Sequence, residues 1–209
     1  IRLPFNCLSH PNIVQEETIK LLKEAGCILI DFGLQTGCPK IREEVLNRNE
    51  DNDKVVKITQ FCKKYKLNFA VDCILNIPFD NEQTIKESII FYNSIRPNII
   101  NCFKLLYFPG TKIIEIAKRA GILNEKDEEM IVKGQRNRYA SMGINNDKTL
   151  DDYQKYAFLL TAMPLLPKKL VEKIINNNKL FAITGNFPSC LLVFIKVAVQ
   201  LKAGFGFIF

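Results

Sequence analysis

The chain has 209 residues, 47% hydrophobic and 24% charged, with a net charge of +7. That is the make-up of one large globular domain, or of one domain with an appendage. The lysines are dispersed among Glu and Asp without a dense basic run, which speaks against a nucleic-acid partner.

The seven cysteines are Cys7, Cys27, Cys38, Cys62, Cys73, Cys102 and Cys190. They form no CxxC-type knuckle, so no metal ligands are assigned among them. The odd number and the lack of a signal peptide point to a reducing, cytoplasmic compartment. The sequence opens inside an apolar run, IRLPF, which reads as a piece of a longer protein whose N-terminal part lies upstream.

Ile1–Asn6 reads as the end of a strand, with Pro4 near its edge. Cys7–Pro11 is a loop. Val14–Ala25 carries apolar residues at helical spacing and stops at Gly26. Cys27–Phe32 is a strand. It breaks at Gly33, passes the polar tip Gln35-Thr36-Gly37, and enters a helix over Pro39–Asn47 with proline in the first turn. The unit then recurs. Lys54–Tyr65 is a helix, Leu67–Ile77 a strand, Glu82–Ile95 a helix, Ile99–Phe108 a strand and Thr111–Ala120 a helix stopped by Gly121.

Strand and helix alternate about four times over residues 1–120, which predicts an α/β fold with a parallel sheet. In such folds ligands sit at the carboxyl ends of strands, so Leu34–Gly37 is the first place to look for function. Beyond Leu123 the character changes. Asn124–Asp152 is polar, Tyr153–Leu166 apolar, and Lys168–Asn178 a basic amphipathic helix. Phe181–Phe209 is nearly all apolar, but two lysines near its middle argue against a membrane span. Residues 123–209 are expected to form a mainly helical extension, with 153–209 touching a membrane surface.

Few residues qualify for chemistry. His10 is the only histidine and falls in a loop, where a structural or solvated role is expected. Asp72, Ile74 and Asn76 share one face of their strand; Asp72 and Asn76 would place polar groups near a barrel mouth. Lys104 lies among apolar residues, and a desolvated lysine there would suit a Schiff-base lyase. An outward-facing Lys104 with its stem packed under a helix is the plainer alternative. Gln35 cannot act as acid or base, but its amide can hold a ligand through donor and acceptor together.

Four stretches occur in order: HPNIVQEETIKLLKEAGC, FGLQTGCPKIREEVLNR, VDCILNIPFDNEQT and LLYFPGTKIIEIAKRAGIL. Together they resemble the later strands of the partial (β/α)6 TIM-like barrel of radical S-adenosylmethionine enzymes, over residues 1–122. The wording is most similar to the subgroup with a cobalamin-binding domain. The resemblance implies S-adenosylmethionine and a [4Fe–4S] cluster as cofactors, with cobalamin as an addition. It implies reductive cleavage to a 5′-deoxyadenosyl radical, or methyl transfer, on a small-molecule or lipid-like substrate.

By the same resemblance Gln35 would lie at the S-adenosylmethionine, Arg48 would approach its carboxylate and Ile74 would pack on the adenine. Asp72 and Asn76 belong to the same strand-end motif, and Tyr107 lines the mouth of the last strand. Asn76 stands where the family usually has Gly, which would narrow the site. The cluster-binding CxxxCxxC triplet does not occur, so the chain is expected to be inactive by itself and to complete its site with the upstream part. A barrel-derived binding or membrane-attachment module without a cluster is the alternative reading.

Overall fold

The computed structural model describes residues 3–135, 149–184, 187 and 189–204. Four strands, β1 (Phe5–Ser9), β2 (Cys27–Gln35), β3 (Asn68–Leu75) and β4 (Ile99–Lys104), form one sheet in chain order, each parallel to its neighbour. Parallel neighbours need crossovers. These are α1 (Glu16–Ala25), then α2 (Pro39–Glu44) with α3 (Asn52–Lys64), then α4 (Glu82–Ile95). Strand order that follows chain order is barrel-like winding; a doubly wound sheet reverses at a switch point. The α/β architecture with a parallel sheet is as the sequence predicts.

The two faces of the sheet differ. On one, Ile30, Phe32, Val71, Cys73, Leu75 and Ile100 pack against Ile19, Val55, Ile58, Ile89 and Tyr92 of the crossover helices. By strand alternation the other face carries Leu29, Asp31 and Gly33 from β2, then Ala70, Asp72 and Ile74 from β3; the register shifts before Gln35, which pairs with Cys73 at the strand end while its amide reaches back to Gly33. Register sets Asp72 beside Asn101, and Ile74 beside Phe103, on β4. This second face, away from the crossover helices, is the inner one.

After β4 come α5 (Lys112–Arg119) and α6 (Glu125–Val132). The latter lies in the polar stretch that begins at Asn124. It starts there because Asn124 caps it, accepting from the Asp127 amide at 3.0 Å while Asp127 accepts from the Asn124 amide at 2.9 Å. Four more helices follow: α7 (Thr149–Ala162), α8 (Lys168–Ile175), α9 (Asn178–Thr184) and α10 (Ser189–Lys202). They are helical, as expected. Tyr156, Leu159, Leu160, Val171 and Phe181 join the same hydrophobic core as the outer face of the sheet. Ala203, just after α10, packs on Leu29 and Ala70, and its carbonyl accepts from Asn68 Nδ2 at 2.8 Å. The N-terminal end of the inner face is thereby closed. The polar stretch 136–148 and the final residues 205–209 lie outside the described residues.

Element boundaries shift for local reasons. Pro11–Ile13 forms a 3-10 turn, so α1 begins at Glu16 and not at Val14. Helix α2 stops short of Asn47, which is left-handed at φ +51°. Strand β3 ends at Leu75 because Asn76 turns out of the ladder at φ +63°. With no partner beyond Leu75, β4 also ends early, its last contact being Leu105 N to the Leu75 carbonyl at 3.1 Å.

Leu160 is fully buried in the shared core. Leu160→Ala should therefore destabilise the sheet and the C-terminal helices together, by about 2–5 kcal/mol. Urea unfolding followed by circular dichroism should show one transition moved to lower urea.

Candidate functional site

The carboxyl ends of β2 and β3 carry the unusual backbone. Gln35 and Asn76, the residues where the two strands turn away, are left-handed at φ +65° and +63°. Few residues other than glycine adopt this region, Asn being among those that tolerate it best. The left-handed turn re-aims both strand ends at the mouth of the inner face. The Gln35 side chain lies back along its own strand: a Cβ at Gly33 would be 2.9 Å from Gln35 Nε2.

The loop after β2 is held from two sides. From above, the buried guanidinium of Arg42 donates through Nη2 (2.6 Å) and Nε (3.2 Å) to the Thr36 carbonyl, and through Nη1 (2.7 Å) to the Glu50 carbonyl. From the side, α4 presents Ser88, whose Oγ accepts from the amides of Gly37 and Cys38 at 3.1 Å and lies 2.9 Å from Thr36 Oγ1. A Cβ at Gly37 would sit 2.7 Å from Ser88 Cα, so only glycine permits this approach. Asn52 Nδ2 adds a bond to the Gly37 carbonyl at 3.3 Å.

A second polar group flanks the loop. Arg48 donates through Nη2 to the Gly33 carbonyl at 2.7 Å and through Nε to Glu50 Oε1 at 2.6 Å, and pairs with the same oxygen through Nη2. His10 Nε2 reaches Glu50 Oε1 at 3.1 Å. Burial alone would raise the Glu50 carboxyl, but the bond from Arg48 and the nearby positive charge bring it below its ordinary value, so it is an anion. Glu50 Oε2 and Asn52 Oδ1 are buried with no hydrogen-bond partner among the described residues.

One layer deeper on the inner face, Asn101 Nδ2 bridges Asp31 Oδ2 at 3.1 Å and Asp72 Oδ1 at 3.0 Å. Asp31 Oδ1 is buried and unpaired among the described residues. Burial first, and the neighbouring Asp72 charge second, push the Asp31 carboxyl up to about 6. Such a group can hold or release a proton near neutrality.

The residues expected from sequence divide as follows. Gln35, Asp72, Ile74 and Asn76 lie along the inner face and its mouth, with Ile74 also packed against Cys38, Ile41, Val45 and Ile77. Arg48 stands at the same mouth, tied to the end of β2. Tyr107 packs instead on Ile114, Ala117, Leu123 and Ile131. Lys104 pairs in register with Leu75 and so falls on the helix-covered face. A lyase with Lys104 on the inner face is thus corrected: the last residue of β4 has the opposite parity to Asn101. His10, expected to be structural or solvated, is structural; it caps the 3-10 turn and meets Glu50. Sequence reasoning missed Asp31, Arg42, Glu50 and Asn101. Asp31 left a signal, a lone acid in an apolar strand at even spacing from Gly33 and Gln35. The others left none that spacing shows. Among the described residues no three His, Cys, Asp or Glu side chains converge to hold a metal ion.

Residues 3–91 match the family model of the Radical SAM superfamily. An uncharacterized methyltransferase of Pyrococcus horikoshii is 23% identical over 109 residues, which is 52% of this chain and 24% of that protein. The chain thus spans about a quarter of the length of the curated relative it matches. Among solved structures, the radical S-adenosylmethionine methyltransferase TsrM of Kitasatospora setae, with cobalamin and a [4Fe–4S] cluster bound, is similar at a TM-score of 0.49 and 20% identity, covering 56% of this chain and 23% of TsrM. Coproporphyrinogen III oxidase of Escherichia coli, a radical SAM enzyme, gives a TM-score of 0.49 at 13% identity, over 62% of this chain and 30% of its own.

The raised carboxyl of Asp31 makes stability pH-dependent. The folded pKa of about 6 exceeds the ordinary value of 3.8, so between these values the native state binds more protons than the unfolded one. Stability then falls as pH rises through that window. Asp80, raised to about 6 by burial, acts in the same direction. Asp31→Asn abolishes one of the two titrations. Its stability relative to the parent should grow on going from pH 4 to pH 7, on the order of 1 kcal/mol after solvent screening, as read from urea midpoints across pH.

Proposed function

We propose that this chain supplies later strands of the barrel of a radical S-adenosylmethionine enzyme and part of its S-adenosylmethionine site. The observation that supports this reading is that the family match over residues 3–91 includes β2 and β3, with Gln35 and Asn76 at their ends, Asp72 and Ile74 along β3, and Arg48 tied to the Gly33 carbonyl of β2. The cofactor's chemistry suits these residues. Its ribose and amino-acid moiety want neutral amides, a carboxylate and a cation; its adenine wants an apolar ledge. Gln35 and Asn76 offer amides, Asp72 an acceptor, Arg48 a cation and Ile74 the ledge. When bound, S-adenosylmethionine supplies a reactive sulfonium centre for radical generation or methyl transfer.

Asn76 fits better than its side chain suggests. A family glycine at such a strand end marks a left-handed residue, and Asn76 takes that conformation with φ +63°. The cluster is a different matter. The described residues offer no ligand set for it, so the [4Fe–4S] group would belong to other residues, and this chain's role is binding and orientation. Methyl transfer and the use of cobalamin are supported by the motif wording and, for methyl transfer, by the name of the Pyrococcus relative. The substrate proposed is a small molecule, or a lipid-like one.

The test is binding. Equilibrium dialysis with radiolabelled S-adenosylmethionine should show saturable binding. Gln35→Ala and Asp72→Asn should each weaken it about five- to twenty-fold, as expected for losing one buried hydrogen bond to a ligand. Binding unaffected by both would remove the assignment.

A peripheral membrane contact through 153–209 is a further part of the proposal. Leu170, Ile183, Val193, Phe194 and Leu201 are exposed apolar residues of α8, α9 and α10, with exposed Lys168, Lys169, Lys173 and Lys179 among them. That mixture suits an anionic lipid surface. No helix among the described residues is long and apolar enough to cross a membrane. Flotation with anionic liposomes at low salt should carry the chain upward, and neutral liposomes should not.

A further inference from the structure

We infer that Glu50, steadied by His10, is a positioning residue that aims the open edge of the Arg48 guanidinium at a ligand carboxylate. The inference rests on the cofactor reading above and adds to it two residues that reading does not contain. An arginine has five N–H donors in a planar fork. Arg48 uses Nε and Nη2 on Glu50 Oε1 and the Gly33 carbonyl. No bond joins its Nη1 to a described residue, and 26% of the side chain is exposed. One edge is anchored and the other remains for a partner.

The anchor is rigid. The Glu50 side chain is 1% exposed, and Arg42 holds the Glu50 backbone through its carbonyl at 2.7 Å. His10 fixes the carboxylate from the far side. Its Nδ1 accepts from the Asn12 amide at 3.1 Å, so in the neutral ring the proton sits on Nε2 and points at Glu50 Oε1. Two donors of different origin, from β1's exit loop and from the loop after α2, thus meet on one oxygen. A free Arg side chain would lose rotamer freedom on binding a ligand; here most of that ordering is complete beforehand. The Gly33 carbonyl sets the height of the fork relative to Gln35. The ligand group that matches a preset guanidinium edge is a carboxylate.

The cofactor reading supplies such a group in the methionine moiety, and this gives a test that a purely structural salt bridge would not pass. Binding of S-adenosylmethionine and of decarboxylated S-adenosylmethionine is measured on the 209-residue chain and on its variants. The parent should prefer the carboxylated form. Glu50→Gln should lose about tenfold on S-adenosylmethionine and keep its affinity for the decarboxylated form. His10→Ala, a milder change at a half-exposed residue, should lose about two- to fivefold with the same selectivity. In parallel, the Arg48 Nε–H resonance, protected from solvent in the parent, should broaden in Glu50→Gln. Equal loss on both ligands in His10→Ala, or undiminished preference with an intact Arg48 resonance in Glu50→Gln, overturns the inference and leaves the cofactor reading standing. A parent chain that binds neither nucleoside overturns both.

Discussion

The arrangement of the mouth depends on Arg42. A guanidinium buried to 1% exposure is costly unless its donors are used, and three of its N–H groups reach backbone carbonyls, two on Thr36 and one on Glu50. These carbonyls belong to the loops on either side of α2. Arg42 therefore joins the exit of β2 to the entrance of α3 across a helix of six residues, too short to fix their separation by its own stability. Burial lowers the Arg42 pKa, but an arginine stays protonated in proteins, and its charge strengthens the three bonds to backbone oxygens.

From that clamp the two polar groups of the site take their places. Thr36, held by Arg42, can meet Ser88 of α4, and the close approach at Gly37 follows. Glu50, held by the same side chain, can meet Arg48 and His10. The outer face of the sheet is apolar and shared with α1, α3, α4, α7, α8 and α9. Freed of any need to bury apolar surface, the inner face carries Asp31, Asp72 and Asn101 in contact. Each carboxylate accepts from the Asn101 amide, but burial and then the neighbouring Asp72 charge outweigh that bond and raise the Asp31 pKa. The inner face is thus costly to stability in the way functional faces are, and the packed outer face offsets it.

Much of the fold was legible. Helix α4 runs over the predicted Glu82–Ile95, because Asn81 and Thr84 form a reciprocal cap that can be read from the residues. The parallel sheet followed from alternation of apolar runs and amphipathic helices. Strand ends were less legible: β3 and β4 stop where Asn76 turns left-handed, a backbone choice that an asparagine permits and does not demand. At the site, Asp72 and Ile74 could be placed by period two, and Gln35 by the polar tip that ends its apolar run. Arg42 could not, because an arginine on a short amphipathic helix normally faces water, and its burial depends on carbonyls brought there by tertiary structure. His10 and Glu50 are forty residues apart in the chain and meet only when β1 lies beside β2.

The layers of the inner face constrain what can enter it. At the bottom Leu29, Ala70 and Ala203 seal the sheet. Above them sits the Asp31–Asn101–Asp72 layer, then Ile74 beside Phe103, and at the top Gln35, Asn76 and Arg48. Polar residues therefore alternate with apolar ones along the strands of the inner face. A wholly apolar ligand would desolvate the acidic layer without compensating it, and a wholly charged one would strand its charges against Ile74 and Phe103. Under the cofactor proposal, the ligand has a charged end for Arg48, a flat apolar middle for Ile74, and hydrogen-bond donors at its inner end. Its inner donors would meet Asp31 Oδ1, the one carboxylate oxygen of that layer that is buried and unpaired among the described residues.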